Sequence, residues 1–399
     1  MPLNFSKLAV IVLAIASVCN AQVKTQTQIL GTIKNEKPDR PLAKVVNPFI
    51  DKSEIAGAVL LVADRDQIIA SDAVGLADIS GKTAMKTDAI FWIASMSKPI
   101  TAACVMILQD EGKLNLDDPI TKYLPEMSNL KTSDGKSVVI NIRHLLTHTS
   151  GMAELKSGEA YKSLDLTEAA SKYAQVQVLF EPGSRWQYSQ TSINTAARIV
   201  EVVSGISFDD FVQTRICEPL KMVDTAFYLS KQQMTRLAKS YKRTEDGRLE
   251  AVEISLLAGH APTDRNRMPA GNGGLFSTAG DYANFCRMML NDGELDGKRI
   301  LSAEAVKTMR SIATGDLVTG FTPGNGWGIG FCVVRTPQGV TESLSPGSYG
   351  HGGAYGTQAW IDPIKERIYI LMVQRSNFSN ADASDLRREF QKVGQELVE

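Results

Sequence analysis

Three serine–lysine pairs are the first residues in this sequence whose types and spacing could do chemistry. They are Ser95/Lys98, Ser128/Lys131 and Ser133/Lys136. On a helix, a three-residue offset places both side chains on one face, where the lysine amine can hold or remove the proton of the serine hydroxyl. A chain of this size carries about one or two such patterns by chance, so the spacing alone does not choose among the three.

The surrounding sequence separates the three pairs. Ser95 alone precedes an apolar helical pattern, which Gly112 ends, whereas the other two serines lie in a polar stretch with the composition of a loop. Pro99 is tolerated near the start of a helix, where the backbone N–H groups lack helical partners. A helix N-terminus also favours negative charge on a serine oxygen. Taken by itself, Ser95 could equally serve only as a helix N-cap.

Two further segments carry candidate polar groups. Residues 182–190 precede a helical stripe and place Tyr188 in a loop. A tyrosine beside a lysine can act as a general base if its pKa is lowered. Residues 349–356 contain His351 and four glycines and precede a predicted strand; such glycines let a backbone approach a ligand closely. Neither a G-x-S-x-G nucleophile elbow nor an H-E-x-x-H zinc motif is present.

Three motifs resemble those of a known superfamily. Ala94–Lys98, Tyr188–Gln190 and His351–Gly353 are similar, in order and spacing, to the active-site motifs of serine β-lactamases and penicillin-binding proteins. The match is to the class C branch, which includes class C β-lactamases, D,D-carboxypeptidases, D-aminopeptidases and family VIII carboxylesterases. The resemblance covers roughly residues 43–395, with supporting stretches at 143–151, 273–278 and 326–328.

The resemblance implies a role for each matching residue. Ser95 would be the nucleophile that becomes acylated, and Lys98 would be its cationic or proton partner. Tyr188 would take the serine proton, protonate the leaving group and later activate the deacylating water. The backbone N–H groups of Ser95 and Ala354 would form the oxyanion hole, in which one donor is typically worth roughly 3–4 kcal/mol of transition-state stabilisation.

Two departures from the family pattern bear on substrate. Gln190 replaces the usual asparagine, which would contact the amide of a β-lactam or peptide, and His351 replaces the lysine of class C β-lactamases. Histidine is mostly neutral near pH 7, so it holds a substrate carboxylate less well than lysine does. Gly352 and Gly353 complete the expected substrate-binding set.

These features predict an exported serine hydrolase, most suited to small acyl esters, that needs no metal or cofactor. A D-amino-acid peptidase, a D,D-carboxypeptidase or a β-lactamase would use the same mechanism and remains an alternative. A non-catalytic penicillin-binding or sensor protein on the same fold is a second alternative, and it would form a stable acyl adduct instead of turning over.

The elements that must position these residues follow a simple pattern. Short apolar strands are predicted at both ends of the chain, over residues 56–63, 67–73, 328–334, 357–361 and 367–374. The middle is mostly helical, with a stripe from Ile193 to Val203 that Gly205 ends. We therefore predict an α/β fold of the β-lactamase/transpeptidase type, whose antiparallel sheet is built from both chain ends and flanked by helices. The predicted parts are a linker (22–42), a sheet domain (43–112 and 271–399) and a mostly helical domain (113–270).

Composition excludes several classes of protein. The chain has 399 residues, with 43% hydrophobic and 22% charged residues, which is typical of globular proteins and not of disordered or fibrous ones. Its 43 Lys and Arg residues against 44 Asp and Glu residues give a net charge of −1, and no basic run suggests nucleic acid as a partner. The expected partner is a small ester or amide substrate.

The N-terminus resembles an export signal. Lys7 is followed by an apolar run over residues 8–18, which is shorter than the roughly twenty residues that span a bilayer. Cys19-Asn20-Ala21 is similar to a signal-peptidase site, so we expect cleavage after Ala21 and a periplasmic or secreted protein. Lipid modification of Cys19 is a less favoured alternative, because bulky Val18 precedes it. Cys104 and Cys286 fall within apolar helical patterns and are expected to be buried free thiols.

Overall fold

The computed structural model describes residues 40–156, 159, 161–320, 322–378 and 384–397. The predicted signal peptide (residues 1–21), Cys19 and most of the predicted linker lie outside the described residues. The linker was expected to reach residue 42, but a helix already begins at Pro41. A proline at a helix start is favourable because its φ is preset and its missing N–H would have no partner there, and Leu42 is fully buried.

The elements of the described residues run in the following order. The α-helices are α1 (Pro41–Asp51), α2 (Ser97–Asp110), α3 (Ile142–Leu146), α4 (Leu166–Tyr173), α5 (Gln190–Ser204), α6 (Phe208–Val212), α7 (Lys231–Met234), α8 (Ala279–Leu290), α9 (Ala303–Arg310) and α10 (Asp385–Glu396). The strands are β1 (Gly57–Ala63), β2 (Ile68–Asp78), β3 (Thr83–Ala84), β4 (Phe91–Trp92), β5 (Ser240–Arg243), β6 (Leu249–Val252), β7 (Phe276–Ser277), β8 (Glu294–Leu295), β9 (Lys298–Arg299), β10 (Asn325–Trp327), β11 (Cys332–Val334), β12 (Tyr349–Gly352), β13 (Gln358–Asp362) and β14 (Arg367–Met372).

One large antiparallel sheet dominates the fold, as predicted. Its strand order is β10-β11-β12-β13-β14-β1-β2-β3, so the first and last strands of the chain meet where β1 pairs with β14. In that pair Leu60 lies opposite Leu371. The sheet therefore joins the two chain ends, and β12, which carries His351, lies well inside it.

The central strand shows why the sheet is covered on both faces. Every residue of β1 is buried. Successive strand residues point to opposite faces, and Val59 and Leu61 belong to one hydrophobic cluster while Leu60 and Val62 belong to another. The second cluster is closed by α1 and α10, and the first is continuous with α2 and α8.

Several predicted boundaries need correction. Residues 328–334 were expected to form one strand, but β10 ends at Trp327 and a turn precedes β11, closed by a hydrogen bond from Gly328 N to Phe331 O of 2.9 Å. Gly330 lies in this turn with φ +76° and packs so closely on α2 that a Cβ would lie 2.4 Å from that of Ala102. A side chain at that glycine would therefore force the helix and the turn apart.

The predicted helical region also departs from expectation in one place. It contains a β-hairpin, β5–β6, whose Tyr241 forms a bridge with Arg375 beyond the end of β14. Elsewhere the helical signals are confirmed: Gly205 ends α5 with φ +77°, and the Ser207 side chain caps α6 by accepting from Asp210 N at 3.3 Å. The boundaries of the predicted helical domain, residues 113–270, stay a prediction.

The burial of the cysteines and the absence of a membrane-spanning helix can be checked within the described residues. Cys104 and Cys286 are buried free thiols, as expected, and so is Cys217. None of the helices within the described ranges is both long and apolar enough to cross a lipid bilayer.

Candidate active site

Ser95 lies on a strained turn at the start of α2. A 3₁₀ turn over Ala94–Met96 leads directly into the helix. Ala94 has φ +47°, a conformation that costs a residue with a Cβ about 1 kcal/mol or more. Strain of this kind persists only where the surroundings impose it, and here it sets the direction in which Ser95 leaves the turn.

Lys98 is fully buried and holds three oxygen atoms. Its Nζ donates to Ser95 Oγ at 3.0 Å, to Gln190 Oε1 at 2.9 Å and to the Asn272 backbone oxygen at 2.6 Å. A lysine ammonium has three N–H donors, so these bonds use all of them. The arrangement places an ammonium group, whose burial is offset by three hydrogen bonds, beside the serine oxygen. There it can stabilise negative charge as the hydroxyl loses its proton.

Gln190 belongs to a polar network behind Lys98. Its Oε1 also accepts from Asn272 Nδ2 at 2.9 Å, and that amide nitrogen donates as well to Tyr161 Oη at 3.2 Å. The Asn272 backbone N–H donates to Asn194 Oδ1 at 3.0 Å. Although glutamine is one methylene longer than asparagine, the Gln190 side chain therefore still contacts Lys98.

Two members of this network are absent from the sequence-based site. Tyr161 and Asn272 lie 29 and 82 residues from Gln190, so no local spacing connects them to it. Asn272 does adjoin the stretch from Gly273 that carried part of the family resemblance, which is the one signal that could have found it. Tyr161 gives no such signal, and burial raises the pKa of its hydroxyl, so it stays a neutral phenol.

Tyr188 and His351 face one another across the site. The Tyr188 Oη lies 3.3 Å from His351 Nε2, and His351 Nδ1 lies 2.7 Å from the Gly352 carbonyl oxygen. A carbonyl can only accept, so Nδ1 carries the proton and Nε2 accepts from the Tyr188 hydroxyl. The Lys98 ammonium lies 4.7 Å from the centre of the Tyr188 ring. His351 and Gly352 are part of β12 itself, whereas the sequence suggested a segment preceding a strand.

His351 is neutral because of where it lies. Burial, together with the nearby Lys98 ammonium, lowers the pKa of His351 to about 3. Both causes disfavour a second positive charge in the same small space. This position therefore supplies a hydrogen-bond acceptor for Tyr188 and no cation for a substrate carboxylate.

A second histidine supports Tyr188 from behind. His148 is fully buried with φ +60°, and its Nδ1 accepts the Ser189 backbone N–H at 3.1 Å. Its ring lies 4.4 Å from that of Tyr188 and 5.0 Å from that of Trp327, centre to centre. Burial and the charge of Lys98 lower the pKa of His148 well below its usual value. His148 therefore acts as a neutral packing surface that fixes the tyrosine.

Gly353 brings the end of β12 against the turn over Ala94–Met96 that carries Ser95. A Cβ on Gly353 would lie 2.0 Å from Thr357 Oγ1, 2.6 Å from the Ile93 carbonyl oxygen and 3.4 Å from Ala94 Cβ. The segment is held by a hydrogen bond from Gly353 N to Thr357 O of 2.7 Å. Only glycine fits here, and Ala354 follows directly, adjacent to the turn that carries Ser95.

The other two serine–lysine pairs take no part in this arrangement. Lys136 forms an exposed ion pair with Glu181, with Nζ 2.8 Å from Oε2. Lys131 lies in a bridge with Ser137. Two aromatic residues near the motifs, Trp327 and Tyr355, are buried in the core.

Comparisons with known proteins show the family and the fold of the chain. The model of the family described as Beta-lactamase matches residues 42–393. Protein Rv1367c of Mycobacterium tuberculosis is 33% identical over 85% of this chain and 90% of its own length. Esterase EstB of Burkholderia gladioli is 28% identical over 80% of this chain and 86% of its own.

A solved structure is similar over nearly the whole chain. EstCE1, described as a hydrolase with promiscuous acyltransferase activity, superposes with a TM-score of 0.78 at 25% identity. The superposition covers 93% of this chain and 99% of that one.

Proposed function

The chain belongs to the beta-lactamase family of serine hydrolases, and from that premise we propose that it is a carboxylesterase that cleaves small acyl esters through an acyl-enzyme on Ser95. The observation that carries the proposal is the pair of contacts made by Lys98 and His351. Lys98 supplies a buried cation to the serine oxygen, while His351 supplies only a neutral acceptor to Tyr188. The Lys98 contact would serve any acyl transfer, whereas the neutral His351 would not favour binding of a substrate carboxylate.

The proposed reaction uses these groups in two half-reactions. Ser95 Oγ attacks the ester carbonyl, and its proton passes to the Tyr188 oxygen, which reacts as a phenolate beside the Lys98 ammonium. The carbonyl oxygen becomes an oxyanion between the N–H groups of Ser95 and Ala354. When the tetrahedral intermediate collapses, the proton returns through Tyr188 to the departing alkoxide and an alcohol leaves. Water then repeats the sequence on the acyl-serine and releases the acid.

Support for an ester over a β-lactam comes from charge. A β-lactam antibiotic carries a carboxylate, whose binding would need a cation near the third motif. His351 has its pKa held at about 3 by burial, so it offers none at neutral pH. A simple ester requires only the nucleophile, the proton path and the oxyanion donors. The esterase name of EstB, with which this chain is 28% identical, is consistent with that choice.

Turnover measurements test the proposal. The protein is assayed on p-nitrophenyl butyrate, on nitrocefin and on a D-alanyl-D-alanine peptide, with Ser95→Ala alongside. Ser133→Ala is the matched control, because Ser133 belongs to a serine–lysine pair on the exposed surface. We expect ester turnover that disappears in Ser95→Ala and persists in Ser133→Ala, with little cleavage of nitrocefin. Faster turnover of nitrocefin or of the peptide would replace the ester assignment with a β-lactamase or a peptidase.

We also propose that the protein is exported. The support is the apolar run after Lys7 and the Cys19-Asn20-Ala21 site in the sequence. Expression with residues 1–21 present or deleted, followed by fractionation of the periplasm, tests this directly. Loss of the periplasmic or secreted protein on deletion is the expected result, and unchanged distribution would contradict export.

A further inference from the structure

The N-terminus of α5 adjoins the catalytic residues and is closed by a carboxylate. Gln190, its first residue, contacts Lys98 through its side chain. Its backbone N–H donates to Glu154 Oε1 at 2.6 Å. The backbone N–H of Thr191 donates to both Glu154 oxygens, at 3.3 and 3.2 Å, and the Thr191 hydroxyl donates to Oε2 at 3.0 Å. One glutamine residue therefore separates the Glu154 carboxylate from the lysine beside the nucleophile.

This contact changes what the helix end can offer to a substrate. An open helix N-terminus attracts anions through its free N–H groups and its dipole. Here Glu154 occupies the first two of those N–H groups, and the Ser189 side chain accepts from Ser192 N at 3.1 Å. The carboxylate also brings its own negative charge and is exposed to solvent. The end of α5 is thus converted from a feature that attracts anions into one that repels them.

The proposed reaction orients the acyl part of the substrate towards this end of the site. Tyr188 lies on the His351 side of the site, and in the proposed reaction it protonates the leaving group. In that reaction the leaving group would lie towards β12, and the acyl chain would extend the other way, towards Gln190, whose backbone N–H donates to Glu154.

We propose that Glu154 is a specificity-determining residue that selects against acyl groups carrying a negative charge. The proposal rests on the esterase function proposed above and narrows its substrate class to uncharged acyl esters. Coulomb's law with an effective dielectric constant of about 20, over a separation of roughly 12–17 Å between the two carboxylates, predicts a discrimination of about five- to tenfold at low salt. Ions screen exposed charges with a Debye length of about 8 Å at physiological ionic strength, so the discrimination decreases as salt rises.

The test compares two esters with acyl chains of equal carbon number, p-nitrophenyl hexanoate and the mono-p-nitrophenyl ester of adipic acid. The measured quantity is the ratio of kcat/KM for the adipate ester to that for the hexanoate ester, at low and high salt, with spontaneous hydrolysis subtracted. Glu154→Gln is the main variant, because its amide oxygen can still accept from the helix N–H groups. Glu304→Gln is the matched control: Glu304 is an exposed glutamate on α9, and Ser302, which caps α9, bonds to Asp110 at the far end of α2 from Ser95.

We expect Glu154→Gln to raise the adipate-to-hexanoate ratio about five- to tenfold at low salt, and Glu304→Gln to leave it unchanged. In the unaltered protein, the ratio should itself rise with salt, a readout that does not depend on folding of any variant. A ratio that neither salt nor Glu154→Gln moves, with hexanoate turnover still dependent on Ser95, would overturn this inference and leave the esterase function standing. Absence of Ser95-dependent turnover on both esters would remove the proposed function and this inference with it.

Discussion

Substituting Gly353 by alanine should disable the site without removing any of its side chains. The added Cβ would lie 2.0 Å from Thr357 Oγ1 and 2.6 Å from the Ile93 carbonyl oxygen. The threonine hydroxyl can rotate away, but the Ile93 carbonyl is backbone and belongs to the residue before Ala94. To relieve the contact, β12 and the turn over Ala94–Met96 must move apart, and this movement separates the backbone N–H groups of Ser95 and Ala354.

The size of the effect follows from what the two N–H groups are proposed to do. Removal of one oxyanion-hole donor costs about 2.7–4 kcal/mol of transition-state stabilisation, which is a factor of about 10² to 10³ in kcat. Overpacking a tight interior contact costs about 1–3 kcal/mol of stability. We therefore expect Gly353→Ala to fold, to unfold at lower urea concentration, and to lose at least a hundredfold in kcat on p-nitrophenyl butyrate.

Gly280→Ala provides the control for a glycine substitution as such. Gly280 lies in the first turn of α8, and the nearest atom to an added Cβ, Thr278 Oγ1, is 4.0 Å away. Alanine in a helix is favoured over glycine by about 0.5–1 kcal/mol, so this variant should be slightly more stable and fully active. Gly353→Ala with kcat within threefold of the unaltered protein would refute the reasoning about the oxyanion hole.

Three further predictions concern stability and the polar network. Burial raises the pKa of Asp281 to about 6 from its ordinary value of 3.8, so the native state holds this proton more tightly than the unfolded state. The stabilisation from the protonated carboxyl is fully present below pH 3.8 and is lost as pH rises through about 6. The free energy of unfolding, measured with urea, should therefore fall by about 3 kcal/mol over this range, and the fall should be absent in Asp281→Asn. Gln190→Ala removes an acceptor of Lys98, and a hydrogen bond to a charged group is worth about 1.5–3 kcal/mol, so kcat/KM should fall about ten- to hundredfold; an unchanged value would show that the network is not needed. His148→Ala removes the ring packed behind Tyr188 and should lower the free energy of unfolding by about 2–4 kcal/mol, whereas a loss below 1 kcal/mol would contradict its supporting role.

Much of the architecture could be predicted because its signals are local. The periodicity of α2, the glycine that ends α5 and the apolar strands near both chain ends are all readable from neighbouring residues, and each is present in the structure. The strand expected over residues 328–334 failed for a tertiary reason. The apolar pattern extends the strand over Gly328 and Gly330, whereas close packing against Met309 and Ala102 makes these two glycines part of a turn.

In the site, likewise, the residues that could be predicted from the sequence are those that belong to recognisable motifs. Ser95, Lys98, Gln190 and His351 lie within one connected arrangement of contacts around Tyr188, although their catalytic roles stay a prediction. Residues without a motif could not be found in this way.

Their contacts explain the omission. Tyr161, Asn272 and Glu154 reach the site through loops far away in the chain, and their partners are defined only after α5 and α2 have packed together. The neutrality of His351 was inferred from its residue type, but its cause, burial beside Lys98, is a property of the fold.

Intact-protein mass spectrometry of the acyl-enzyme tests the central claim most directly. The protein is mixed with p-nitrophenyl butyrate, quenched in acid during turnover and analysed with Ser95→Ala and Ser133→Ala in parallel. We predict one added butyryl group, mapped by peptide analysis to the segment containing Ser95, in the unaltered protein and in Ser133→Ala. Ser95→Ala should show none. A butyryl group that persists in Ser95→Ala, or one that maps to another residue, would contradict the assignment of Ser95 as the nucleophile.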